Sequence, residues 1–500
     1  MDLASALINL LTPWQLMLTF IGVSLGIIVG CMPGINGSML IALSLPITYK
    51  MAPIDSMNLL VSMYTGAITS GFVTATLLRI PGEPANVMTT FDAFPMAKRG
   101  EAGRALGLGL FSSVFGALFA WVALATLTQP LAEIAIKFSP FDYFALVMSA
   151  LVLIASVSQG SMLKGLLAAT FGALISFPGV DPSTGTDRFT FGWWQLTSGF
   201  DVLPVLVGMF AVATVMGDAL RREDVAEQVP FTLRGLWVRM AEWRAQFWNL
   251  IRSSVIGVWI GILPGVGAAV GSLVAYTTAK NLSKAPEEYG KGSAEAIVAS
   301  ESANNATMGG SLIPLIAMGI PGSVTDVFLM GAMMIHGIQP GPLLFQRNTD
   351  VVYAIIGATL TSTMVMFALM LVSIPLLRRL VNVPKPIVIG LVLVFCVVGV
   401  YANNNRWFEV GLMLTFGLIG FGMERAGLPL GPFVIAFVMA PLAEAKLRSG
   451  LMVTGGSITP LFTSPLSLGL LVISALLLVW PFLSGRAQRL RRNIAGRGDG

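Results

Sequence analysis

The chain has 500 residues, 55% of them hydrophobic and 11% charged, with a mean hydropathy of +0.80. A soluble domain carries roughly 25% charged residues, so this composition excludes a single soluble core. Apolar runs of about 18 or more residues recur along the length, which reads as an all-α polytopic membrane protein and excludes the short alternating segments of an outer-membrane barrel. One histidine and two cysteines leave no basis for a His/Cys metal centre or a His-dependent catalytic dyad, and the net charge of +5 needs no nucleic acid, because the arginines fall in loops and at the C-terminus.

The N-terminal "MDLASALINLLTPW" has no basic region before its apolar residues, so it reads as a retained membrane anchor rather than a cleaved signal peptide. It leads into "GIIVGCMPGING", where Pro33-Gly34 and Asn36-Gly37 interrupt a helix in mid-membrane. Gly22, Gly26 and Gly30, four apart, form a small-residue face for close helix packing. Cys31 and Cys396 read as small core residues. The next polar apolar-embedded stretch, "YTGAITSGFVTATLLRIPGEP", supplies the hydroxyls of Thr65, Thr69, Ser70 and Thr74 and ends in a second break at Pro81-Gly82. Arg79, just before that break, is read three ways: paired with an anionic substrate, paired with Glu83, or snorkelling to the surface. Asp92 is read as a capping or loop-fixing residue.

A segment from 218 to 248 carries Arg221, Arg222, Arg234, Arg239 and Arg244 among Leu, Trp and Met, the pattern of an amphipathic cytoplasmic linker. Beyond it, "GVWIGILPGVGA" brings a third break at Pro264-Gly265, with Gly267 following. The polar run "ASESANNATMGGSLIPL" then places Glu301, Asn304, Asn305, Thr307 and Ser311 among glycines and alanines, before a fourth break at Pro321-Gly322-Ser323. His336 reads as interfacial or as a packing residue. A basic tail, 485–500, is placed in the cytoplasm by Arg486, Arg489, Arg491, Arg492 and Arg497.

Three features recur in the same order, at offsets of 231, 240 and 246 residues (Pro33 and Pro264, Pro81 and Pro321, Pro140 and Pro386). This is the mark of a duplication with small insertions. The halves are read as 1–217 and 249–484. Lys98, Arg99 and Arg104 follow the first Ile-Pro-Gly, whereas Arg347 is the one basic residue at the matching place in the second half. The positive-inside rule then implies an inverted repeat with the N-terminus outside and about ten to twelve membrane segments, broken or re-entrant ones included; Lys280, Lys284 and Lys291 complicate that count.

In lipid, backbone amides and carbonyls freed by a break are tolerated only where protein or water lines a cavity. Four Pro-Gly breaks arranged two by two point to a transport site, with half-helix N-termini suited to carboxylates and unwound carbonyls suited to Na⁺. The expected substrate-binding set is Asn304, Asn305, Thr307, Ser311, Thr65, Thr69, Ser70, Gly322 and Ser323. The expected cation-binding or helix-break set is Pro33, Gly34, Asn36, Gly37, Pro81, Gly82, Pro264, Gly265, Gly267, Pro321 and Glu301, with no metal other than a possible Na⁺. For the asparagines and Glu301 the competing reading is interhelical hydrogen bonding.

Over nearly its whole length the chain resembles the large membrane subunit of tripartite tricarboxylate transporters, the TctA family. The resemblance is carried by "PGING", "IPGEPANVMTTFDAFPMAKRGEAGRAL", "PGVGAAVGS", "ESANNATMGGSLIPLIAMGIPGS" and "GFGMERAGLPLGPFVIAFVMAPLAEAKLRSGL". It implies a bacterial inner-membrane permease, driven by an ion gradient, that works with a small membrane subunit and a periplasmic solute-binding protein delivering a carboxylate. Where the family commonly has an aromatic-Gly-Gly-Ser run and then Asn-Thr-Pro-Gly, this chain has Thr69–Phe72, "TSGF", and Arg79–Gly82, "RIPG". That departure leaves open a different organic acid, or a more negative one meeting Arg79.

The expected function is therefore binding-protein-dependent import of a small organic carboxylate, tricarboxylate-type or related, with Na⁺ or H⁺ and no other cofactor. The alternative is a stand-alone ion-coupled permease or a channel for anionic solutes. An enzyme is not expected, since no acid/base or metal constellation is present in the sequence.

Overall fold

The computed structural model describes residues 3–32, 36–157, 161–181, 184–220, 235–380 and 385–479. These are largely helical, and the strand structure among them is a ladder pairing Gly179 with Arg188 and Val180 with Asp187. The helices are α1 Leu3–Leu10, α2 Pro13–Gly30, α3 Gly37–Thr48, α4 Pro53–Leu78, α5 Val87–Met96, α6 Ala102–Ala135, α7 Pro140–Val157, α8 Met162–Ile175 and α9 Val202–Gly217. They continue as α10 Met240–Ile262, α11 Gly267–Leu282, α12 Ala294–Met318, α13 Val324–Ile335, α14 Thr349–Leu380, α15 Lys385–Asn404, α16 Trp407–Arg425, α17 Leu430–Val453 and α18 Pro465–Val479.

Seven helices among the described residues are long and apolar enough to cross a membrane, and six further apolar helices have 10–17 residues. Large apolar side chains such as Leu163, Val372 and Leu418 point outward, an arrangement that water penalises and lipid accepts. The protein is an all-α polytopic membrane protein.

Proline opens several helices where its missing N–H costs nothing: Pro13 in α2, and Pro53 in α4 with Asp55 in the first turn. The innermost pair is α4 and α12. Every residue from Ser56 to Leu77 and from Ala296 to Ala317 is buried. Close packing against them needs glycine. Gly22, Gly26 and Gly30 of α2 lie on the α4 backbone at Leu59, Met63 and Ala67, and Gly257 and Gly261 of α10 lie on the α12 backbone at Ala303 and Thr307. The small-residue face read from the sequence is a helix-packing face.

Pro33-Gly34 and the basic tail lie outside the described residues, as does the middle of the linker. Within the segment read as linker, residues 240–248 are the first turns of α10, which starts at Met240. No proline or glycine interrupts them, and the rings of Trp237 and Trp243 pack tilted against Phe111 of α6, their centroids 5.7 and 5.9 Å away.

Candidate functional site

Breaks read from the sequence converge on one cavity of about 600 Å³. Asn36, Gly37 and Ser38 line it from the start of α3, and Glu83, Pro84 and Ala85 from the segment between α4 and α5. Gly265 to Val270 line it from the start of α11, and Ser323, Val324 and Thr325 from the start of α13. Tyr64 and Ile68 of α4 and, at the start of α17, its N-cap Pro429 and Leu430 to Pro432 complete much of the wall.

Local sequence explains each broken end. Asn36 caps α3, its Oδ1 accepting from the amide of Met39 at 2.9 Å, and Ser323 caps α13 by accepting from the amide of Asp326 at 3.3 Å. The third break turns through Gly265 and Gly267, both with positive φ (69° and 74°), a conformation open to glycine at little cost. Gly82 and Gly322 let the second and fourth breaks cross the first and third. Gly82 lies against the carbonyl of Gly30, and a Cβ on Gly322 would meet the carbonyl of Gly261 at 2.6 Å. Pro81, Pro264 and Pro321 set the turns but do not line the cavity.

The electrostatics are asymmetric. The first turn of α3 is met by a carboxylate, since the Gly37 amide donates to Glu83 Oε1. The start of α11 has no side-chain cap, and its first residues, Gly267 to Val270, face the cavity. An uncapped helix start aimed into a cavity offers N–H donors and the positive end of the helix dipole. The charged residues in the wall are Glu83 and Glu424, with no lysine or arginine among the described lining. Ser38 Oγ and Thr325 Oγ1 are 2.7 Å apart across the cavity edge, and Tyr64 Oη is 3.3 Å from Ser323 Oγ.

Other residues of the expected substrate set lie outside this wall. Thr65, Thr69, Ser70, Asn304, Asn305, Thr307 and Ser311 are buried between helices. Thr69 donates to Asn305 Oδ1 at 2.6 Å, Thr65 Oγ1 lies 2.9 Å from Ser362 Oγ, and the Asn304 amide donates to Ile68 O at 3.2 Å. Thr307, Ser70 and Ser311 bond back to their own helices. Gly322 sits behind the wall, while Ser323 is in it. Arg79 is exposed, its guanidinium 5.9 Å from the centre of the Phe94 ring, and it does not line the cavity. Asp92 is a loop-fixing residue: its Oδ1 accepts from the amides of Gly290, Gly292 and Ser293 at 2.8–2.9 Å, and Tyr276 donates to Oδ2 at 2.9 Å.

Glu301 is fully buried in the middle of α12. It accepts from Asn86 Nδ2 at 3.0 Å, from Thr89, and from Ser113 at 3.2 Å, all neutral donors. No group of three His, Cys, Asp or Glu that could hold a metal ion occurs among the described residues. Sequence reasoning missed Ser38, Thr325, Tyr64 and Asn86. The first two follow breaks by one or two residues, and Tyr64 precedes Asn304 by the same 240-residue offset that links the second and fourth breaks.

The chain is 35% identical over 463 residues to an uncharacterized 52.8 kDa protein in the TAR-I ttuC' 3'region of Agrobacterium vitis, covering 93% of this chain and 92% of the relative. It is 31% identical over 237 residues to an uncharacterized protein in the TAR-II ttuC' 3'region of the same organism, covering 47% of this chain and 98% of that relative. No solved structure matches it. The family described as the tripartite tricarboxylate transporter TctA family matches residues 16–435, and the chain belongs to that family.

Proposed function

We propose that this protein is the large permease subunit of a tripartite secondary transporter. It imports a small organic carboxylate across the bacterial inner membrane with Na⁺ or H⁺, receiving it from a periplasmic binding protein and working beside a small membrane subunit. The observation that carries this reading is the cavity where broken helix ends meet, with the uncapped start of α11 as its anion-facing wall. The absence of lysine and arginine from the described wall supports cation coupling. A carboxylate entering beside Glu83 needs a cation or protons to balance its charge.

In this reading the substrate meets the α11 amides, the hydroxyls of Ser38, Tyr64, Ser323 and Thr325, and the broken ends at Asn36, Gly37, Gly265 and Gly267. The buried Asn304, Asn305, Thr65, Thr69, Ser70, Thr307 and Ser311 hold that wall in place. The two halves, 1–217 and 249–484, form an inverted repeat with a cytoplasmic C-terminus. The Arg99 guanidinium donates to the Gly292 carbonyl at 3.1 Å, which sets the basic loop after α5 beside Lys291. That supports a shared cytoplasmic face for Lys98, Arg99, Lys280, Lys284 and Lys291, the arrangement an inverted second half requires.

The test is uptake into proteoliposomes with the binding protein present, comparing wild type with Ala269→Phe, which fills the cavity at the start of α11. Uptake should be lost while the purified variant elutes and melts like wild type. Normal saturable uptake by the filled variant would place the substrate elsewhere.

A further inference from the structure

Beside the cavity wall, and not part of it, lies a second polar cluster with its own chemistry. Asn86 follows the wall residues Pro84 and Ala85 directly and donates to Glu301 Oε1 at 3.0 Å. Asn304 is one turn along α12 from Glu301 and faces it. All three side chains are at least nine-tenths buried. Asn86 Oδ1 and Asn304 Oδ1 are both buried acceptors without a hydrogen-bond partner. An unpartnered buried acceptor costs about 1–3 kcal/mol, and two of them beside one buried carboxylate call for a partner. Gly71 of α4 presses on the Asn86 oxygen, leaving no space for a Cβ.

We infer that Glu301, Asn86 and Asn304 form a binding site for one monovalent cation, Na⁺. The donors to Glu301 are neutral, and no lysine or arginine pairs with it among the described residues. One carboxylate balances one monovalent charge, whereas Ca²⁺ takes six to eight oxygen ligands, commonly several carboxylates. The terminal torsion of an asparagine is soft. With the carboxylate alone, both amides present N–H; with a cation on the carboxylate, the same amides turn over and present the oxygens that otherwise lack partners. Thr89 and Ser113 add hydroxyl oxygens that accept the ion as readily as they donate to the carboxylate. Because Asn86 continues the chain that forms the cavity wall at 83–85, ordering it by Na⁺ orders that wall.

The role of the site in coupling rests on the transport reading above; the binding itself does not. The experiment measures ²²Na⁺ binding and thermal stabilisation of the full purified chain in NaCl against KCl and N-methylglucamine chloride. Wild type should bind Na⁺ and be stabilised by it selectively. Glu301→Gln should weaken Na⁺ at least tenfold, and Asn86→Ala and Asn304→Ala should each weaken it severalfold. Should Glu301→Gln fail to fold, the two asparagine variants and Gly71→Ala, which crowds Asn86 Oδ1, carry the test. No selective binding by wild type, a response to pH alone, or wild-type Na⁺ affinity in both asparagine variants would overturn the site. Na⁺ binding as described without any carboxylate uptake would leave the site standing and defeat the transport reading. Na⁺-driven uptake with unchanged affinity in both asparagine variants would do the reverse.

Discussion

The hydroxyl of Thr69 donates to Oδ1 of Asn305 at 2.6 Å, so two residues whose chemistry fits a carboxylate ligand hold each other instead. The bond joins α4 to α12 at the centre of the molecule, and the Asn305 amide also donates to Glu301 O at 3.1 Å. Asn305→Ala strands a buried hydroxyl and should cost about 1–3 kcal/mol. Its signature is a lower melting temperature with an unchanged KM for uptake, whereas Ser38→Ala with Thr325→Val, in the cavity wall, should raise KM with little change in melting. A raised KM for Asn305→Ala at wild-type stability would return Asn305 to the binding site.

Glycine is required where the breaks cross. Gly82 has the Gly30 carbonyl directly against it, and Gly322 has the Gly261 carbonyl and Ser311. A methyl at either position forces backbone apart and should cost about 1–3 kcal/mol, as other overpacked sites do. Gly82→Ala and Gly322→Ala are both expected to melt earlier and to lose uptake, because the displaced backbone carries the neighbouring wall residues Glu83 and Ser323. Full uptake by either variant would show that the breaks can separate without consequence.

Arg79 ends α4 in the left-handed conformation, φ 62°, where the matching helix α12 ends in Gly319 at φ 71°. A side chain held there costs about 1–2 kcal/mol. Arg79→Gly should therefore raise thermal stability, by about 1 kcal/mol, and leave substrate affinity unchanged, since the guanidinium is outside the cavity. A fall in affinity on this substitution would show that Arg79 meets the substrate during the transport cycle.

Asp92 receives three backbone amides from the turn before α12 and the Tyr276 hydroxyl. Asp92→Ala leaves those donors without an acceptor at a buried site and should cost on the order of 3 kcal/mol. Asp92→Asn keeps one oxygen and should cost less. Hydrogen exchange at Gly290, Gly292 and Ser293 would report the loss directly, and protection equal to wild type in Asp92→Ala would refute the loop-fixing role.

Much of this molecule was legible along the chain. Hydropathy alone determined the helical membrane class, because a long apolar run has few ways to satisfy its backbone in lipid. The glycine spacing of 22, 26 and 30 determined a packing face, and the Pro-Gly pairs marked where helices stop, because both effects are local to the backbone. What the tertiary structure decided was which polar groups were left over. Thr69 and Asn305 lie 236 positions apart, so no spacing rule could pair them and remove them from the cavity. Asn86, which no spacing rule singled out within its motif, gained meaning only when folding set it against Glu301. Side-chain identity says what a group can bond, and only the packing of distant helices says whether that capacity is already used.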